Sequence, residues 1–232
     1  ACRRLREQLA GAAVSAAGGA AGGMNGADDP ITAAAASGVA EALCREGVAA
    51  EACGDLPSSA QALTALLSNY SPMAAAAGGP KHVVDAAARD EVDAYIALAR
   101  AQRCAGNVAG AAEAVGLALA TAQRAGTGKL LEGTATAAFG EFYGSLWIAP
   151  RALDSYERAI SLFAEAGSSP DVAKCAMEMG TLHFRRGDTA SALKCLEEAL
   201  SVSVRAGLGS TEADVTCRIG AIHAAQGDHL QA

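Results

Sequence analysis

The side chains with most claim to chemistry in this chain are the string "AGTGKL" at 125–130, four histidines, two pairs of adjacent carboxylates and seven cysteines. "AGTGKL" comes close to a phosphate-binding loop, which needs G-x-x-x-x-G-K-[ST] after a strand. Counting back five from Gly128 puts Gln123 where the first glycine belongs, and Leu130 follows Lys129 where a magnesium-binding hydroxyl is required. The string also falls between two expected helices, so Gly126 reads as a glycine just past a helix end. His183 and His223 invite a metal reading. Zinc sites, however, group Cys and His closely, and no histidine here has a cysteine within four residues. Glu197-Glu198 and Asp90-Glu91 are chain neighbours, so on a helix they point in different directions rather than facing each other across a cleft as glycosidase carboxylates do. No G-x-S-x-G or Cys–His nucleophile signature is visible. Cys2, Cys44, Cys53, Cys104, Cys175, Cys195 and Cys217 are odd in number and include no C-x-x-C pair. They read as free thiols of a reducing compartment rather than a disulfide framework. A non-catalytic segment is expected, with no cofactor and no metal.

The elements that would position these residues are helical. The chain has 232 residues, 51% hydrophobic and only 4% aromatic. Most of the apolar content is alanine, the strongest helix former, and the runs of Val, Ile, Thr and aromatics that strands use are missing. An all-α fold follows. The formal net charge of −7 argues against a nucleic-acid partner, which would call for a basic stripe. Arg3, Arg4 and Arg6 cluster near the start but are followed by Glu7. The weakly apolar run at 9–23, "LAGAAVSAAGGAAGG", is too short and too glycine-rich to span a bilayer, so no membrane association is expected.

An internal repeat organises the chain. "IGAIHAAQGDHLQA" (219–232) matches "MGTLHFRRGDTASA" (179–192) after 40 residues, superposing Gly220 on Gly180, His223 on His183 and Gly227-Asp228 on Gly187-Asp188. Going back 40 residues, Gly140, Tyr143, Ala152, Tyr156 and Ala159 fall on Gly180, His183, Ala192, Leu196 and Ala199. A further 41 residues back stand Ala99, Gly106-Asn107, Ala111, Val115 and Ala118. Helix ends repeat as well, at Gly126, Gly167 and Gly207. The second unit departs at its turn, where Trp147-Ile148 and Pro150 replace Gly-Asp. Four units are read at about 91–130, 131–170, 171–210 and 211–232, the last stopping part way through its second helix. Residues 30–69, with Gly54-Asp55, Ser59, Leu63 and Leu66, read as a degenerate helical repeat. Residues 70–90 read as an insertion or linker with a break at Gly78-Gly79-Pro80. Residues 1–29 form an Ala/Gly-rich N-terminal segment, helical or flexible.

This pattern resembles the tetratricopeptide repeat (TPR) family, with small residues where the two helices of a hairpin cross. Its 40–41-residue period is similar to that of kinesin light chain and of G-protein-signalling adaptor repeats. The resemblance implies an α-solenoid of antiparallel helical hairpins whose first helices line a concave groove. Carried onto this chain, the family's groove positions are Asp93, Ile96, Arg100 and Arg103 in the first unit and Thr134 and Glu141 in the second. The third supplies Lys174, Met177, Thr181, Phe184 and Arg185, and the fourth Asp214. The resemblance further implies a protein–protein interaction adaptor or scaffold that binds a partner peptide or helix, with the basic groove residues meeting acidic groups and Phe184 and Met177 taking an apolar anchor. The Lys/Asn carboxylate clamp of chaperone-binding members is absent, since its places hold Ile96 and Arg100, Ala137 and Glu141, then Met177 and Thr181. The alternative is an architectural subunit of a cytoskeletal, ciliary or transport assembly with dispersed contacts. A cytoplasmic location, with a cytoskeletal or ciliary setting, is expected on either reading.

Overall fold

The computed structural model describes residues 80–126 and 128–227, with Thr64 and Leu67, all within the unit Ser37–Ala232. Residues 1–63, most of the degenerate repeat, 68–79 and 228–232 lie outside the described residues, so the N-terminal segment and the last turns of the fourth unit do too. Among the described residues there are seven helices and no strand. They are α1 (Lys81–Cys104), α2 (Val108–Ala125), α3 (Lys129–Ser145), α4 (Ala149–Ala166), α5 (Ser169–Arg185), α6 (Thr189–Ala206) and α7 (Gly209–Gln226). Pairs α1/α2, α3/α4 and α5/α6 are the hairpins, and each stacks on the next through α2–α3, α4–α5 and α6–α7. The helical solenoid expected from the repeat is therefore present.

One boundary moves. Residues 81–90, assigned above to a linker, are the first turns of α1. Pro80 stands at the N-cap with φ −58° and ψ 146°, so the proline break marks the start of the helix rather than the end of a connection. Ala88 is fully buried, which ties this added length to the core.

Turn chemistry follows the repeat. Gly106, Gly187 and Gly227 have φ of +80°, +81° and +82° in the turn after each first helix. Gly126, Gly167 and Gly207 close the second helices in the left-handed conformation. Only glycine adopts this region without strain. Asn107 and Asp188 then cap the next helix, their side chains accepting from the backbone N–H of Gly110 and Ser191. In the second unit Trp147 takes the glycine position at φ +62° and Ile148 takes the cap position with no side-chain bond. Pro150, with no N–H, removes one donor that this uncapped end would otherwise leave orphaned.

The hairpin crossings are tuned by exchange of volume between helices. Ala111, Ala118, Ala152, Ala159, Ala192 and Ala199 are all fully buried at matching positions. At the tightest crossing the pairs are Ala99 with Val115, Gly140 with Tyr156 and Gly180 with Leu196. A Cβ added to Gly140 would lie 2.7 Å from the Tyr156 ring, and one added to Gly180 would lie 2.8 Å from Leu196 Cγ. A second crossing repeats the trade as Val92 with Ala122, Gly133 with Phe163 and Ala173 with Ser203, all buried. A Cβ on Gly133 would meet the Phe163 ring at 2.8 Å. The larger the residue on the second helix, the smaller its partner on the first.

Cys104 and Cys217 are exposed, Cys195 is half-buried and Cys175 is buried, none of them in a disulfide. Burial, with Asp171 adding to it, pushes the Cys175 thiol up to about 12. An unfolded cysteine titrates near 8.5, so the native state holds this proton more tightly. The stabilisation it brings is complete below about pH 8.5 and is lost as the pH climbs toward 12. Urea midpoints measured across this window should fall with pH, and Cys175→Ala should flatten the fall. At neutral pH a thiol-titrating reagent should modify Cys104 and Cys217 rapidly and reach Cys175 only on unfolding. Fast modification of Cys175 in the native protein would contradict its burial.

Candidate functional site

The first helices α1, α3, α5 and α7 present the same repeat positions in successive hairpins, and α1 touches α3 as α5 touches α7. One column runs through Asp93, Thr134, Lys174 and Asp214. Asp93, Lys174 and Asp214 are exposed and Thr134 is half-buried, its hydroxyl donating to the Leu130 carbonyl at 3.0 Å. Partial enclosure is the main cause that raises the Asp93 carboxyl above its ordinary range, with Asp90 adding to it.

The next column places Ile96 and Met177 in the core, at 9% and 8% exposure. Ile96 belongs to the cluster between the first two hairpins and Met177 to the one between the last two. Met177 thus spends its side chain on packing rather than on a partner.

A third column carries Arg100, Glu141 and Thr181. Arg100 forms a two-pronged ion pair with Glu141, Nη2 to Oε2 at 2.7 Å and Nε to Oε1 at 3.0 Å. Both groups are nearly half exposed, so the pair contributes about 0–1 kcal/mol. Its larger effect is local: the guanidinium is already answered from within the array. Arg103 lies beside this pair in a cleft with Ile96, Ala99 and Phe142. The cleft holds about 10 Å³, room for about one water and not for a small molecule.

Arg218 of α7 was not among the residues singled out from the sequence. It donates to Thr181 Oγ1 and, at 3.3 Å, to Glu178 Oε1. Glu178 and Arg218 occupy equivalent positions 40 residues apart, as Arg100 and Glu141 do 41 apart. Opposite charges in one repeat column were the available signal.

Phe184 and Arg185 sit at the end of α5, not on the row between helices. Phe184 is 37% exposed. The Arg185 guanidinium lies 5.5 Å from the centroid of the Trp147 ring in the turn of the preceding hairpin, and Arg151 similarly covers Tyr143 at 5.6 Å.

The histidine column, Gln102, Tyr143, His183 and His223, is half-buried throughout. In the first three, the residue five positions on stands at the cap of the next helix and its backbone N–H donates to the column residue's carbonyl. In the third hairpin the two side chains also approach each other, His183 towards Asp188. His183 Nδ1 is 3.4 Å from Asp188 Oδ2, within electrostatic reach but without hydrogen-bond geometry. Hydrogen bonding from Ser191, with His183 adding to it, holds the Asp188 carboxyl below its usual range. Among the described residues no three His, Cys, Asp or Glu side chains converge where a metal ion could sit. No helix among them is long and apolar enough to cross a membrane.

Stacked hairpins of helices 17–24 residues long, each second helix closed by a left-handed glycine, at a 40–41-residue period define a TPR-like α-solenoid. Solved structures share this fold, and two of them show how closely. BtubC (BKLC) from P. vanneervenii superposes with a TM-score of 0.65 at 19% identity, covering 98% of this chain and 86% of its own. A putative kinesin light chain from Podospora anserina, described by its nearly identical TPR-like repeats, superposes with a TM-score of 0.57 at 14% identity, covering 84% of this chain and 90% of its own. No protein-family model matches the sequence. No curated protein matches it either.

Proposed function

We infer that this chain is a non-catalytic interaction scaffold whose row of first helices holds a peptide or helix of a partner protein. The observation that carries this reading is the column Asp93, Thr134, Lys174 and Asp214, which repeats along the array and is left largely to solvent by the packing. Arg103 extends it. A column of mixed charge, acidic at Asp93 and Asp214 and basic at Lys174, selects a partner of complementary charge pattern rather than a uniformly acidic one. Arg100 and Glu141 give the row a fixed seam by pairing with each other. A cytoplasmic, cytoskeletal or ciliary setting is supported by the likeness of fold to kinesin-light-chain repeats.

An architectural role with dispersed contacts is the second reading. It is favoured by the exposed Trp147, Ile148 and Phe184, which lie off this row.

An affinity capture from native extract with quantitative mass spectrometry tests the first reading. Arg103→Glu/Lys174→Glu is the informative variant, because Arg185 lies off the row, over Trp147. If the variant keeps its helical circular dichroism and selectively loses a partner, the row is the binding face. If the same proteins return with both baits, recognition along the row is wrong and the strut reading stands.

A further inference from the structure

The turn between α3 and α4 breaks the rule that the other turns keep. Three turns place glycine at the left-handed position, at φ +80°, +81° and +82°, whereas this one places Trp147 there at +62°. A bulky side chain in that region is disfavoured relative to glycine. The next residue breaks the rule again, since Ile148 stands where Asn107 and Asp188 cap their helices. Both departures work against local stability, and both put apolar surface into solvent: Trp147 is 74% exposed and Ile148 39%. Strain retained at an exposed aromatic is the signature of a surface kept for contact.

The surroundings state the chemistry of that contact. Arg185, from the following hairpin, lies over the Trp147 ring at 5.5 Å and holds it in place. Arg186 is exposed beside it, and Arg151 lies over Tyr143 one turn into α4. Phe184, at the end of α5, and Val108, beside the turn one hairpin back, are exposed apolar residues too. Arg151, Arg185 and Arg186 thus stand in or next to two neighbouring turns of a chain of formal charge −7.

We propose that this turn edge, centred on Trp147 and Ile148, is a docking site for a segment of another protein that carries acidic residues beside an aliphatic one. The aliphatic side chain lies against Trp147 and Ile148, and the carboxylates meet Arg151, Arg185 and Arg186. This site is separate from the row of first helices and does not depend on it.

The test uses a phage-displayed library of random dodecapeptides selected on the whole chain. Trp147 is the chain's single tryptophan, so its fluorescence reports on this turn alone. Trp147→Gly/Ile148→Asp restores the Gly-Asp turn of the third hairpin and so keeps the fold, which a retained or raised melting temperature verifies. Selected peptides should be rich in Asp or Glu next to Leu, Ile or Val. Tryptophan-free synthetic versions should shift the Trp147 emission. Their affinity should fall at least about tenfold in the Gly/Asp variant and in Arg185→Glu/Arg186→Glu, and be unchanged in Lys174→Glu. No selected peptide, peptides without acidic character, or equal binding to the Gly/Asp variant would each overturn the proposal. So would a wild-type dimer that the Gly/Asp variant converts to monomer, which would make the occupant a second copy. Loss of binding in Lys174→Glu with the Gly/Asp variant unaffected would locate recognition on the helix row instead.

Discussion

Gly140→Ala should lower the stability of the array by up to about 2 kcal/mol, although the same change in an exposed helix would raise it. Alanine is about 1 kcal/mol better than glycine in a helix interior. Here the added Cβ would stand 2.7 Å from Cδ1 and Cε1 of the Tyr156 ring. That ring is 6% exposed and packed in the core of the second hairpin, so it has no room to retreat. Overpacking of this kind costs about 1–3 kcal/mol, which outweighs the helix-propensity gain. The pair should then show strong coupling. Tyr156→Val alone costs about 2–4 kcal/mol as a large-to-small core change. Combined with Gly140→Ala it recreates the Ala99–Val115 pair of the first hairpin. The double variant should therefore be less destabilised than the sum of the singles by at least about 1 kcal/mol. Urea denaturation of the four proteins in the cycle measures this. Additive losses would mean that the crossing distance is not set by this pair.

Trp147→Gly/Ile148→Asp should stabilise the array by about 1–2 kcal/mol. Releasing a non-glycine residue from the left-handed region returns about 1–2 kcal/mol. An aspartate at the cap, with Arg151 N–H in the place of Gly110 N–H and Ser191 N–H, adds about 0.5–2 kcal/mol. Against this stands the loss of the solvent-exposed contact between Arg185 and the ring, worth about 0.5–1 kcal/mol. At about 2–4 °C per kcal/mol for a domain of this size, the melting temperature should rise by several degrees. A fall would mean that Trp147 packs against the turn more strongly than its 74% exposure indicates. Replacing the pair one residue at a time separates the backbone contribution from the cap.

These two results bear on how far the interaction surface could be read in advance. Charged residues drew attention first, and two of them, Arg100 and Glu141, answer each other. Ile96 and Met177, placed on the same face by position, are buried. The exposed features that remain are Lys174, Asp93 and Asp214 on the row and Trp147 with Ile148 at the turn. Trp147 was legible as a departure from Gly-Asp. Its solvent exposure and its contact with Arg185, 38 residues away, were not.

From the sequence alone came the all-helical class, the 41-, 40- and 40-residue spacing, the turn glycines with Asn107 and Asp188 beside them, and the small alanine positions at the crossings. All of these depend on interactions within a few residues along one helix or turn, or on a steric requirement repeated identically in each hairpin. The start of α1 at Lys81 was missed because Ala88 is the single buried residue between Lys81 and Asp90, which leaves that stretch no apolar stripe to read. Tertiary structure decided which groove residues face solvent, which ions pair across hairpins and that Arg185 leaves the row to cover Trp147. Those outcomes turn on how one hairpin sits against the next, where a small change in crossing distance moves a long side chain from solvent to a partner.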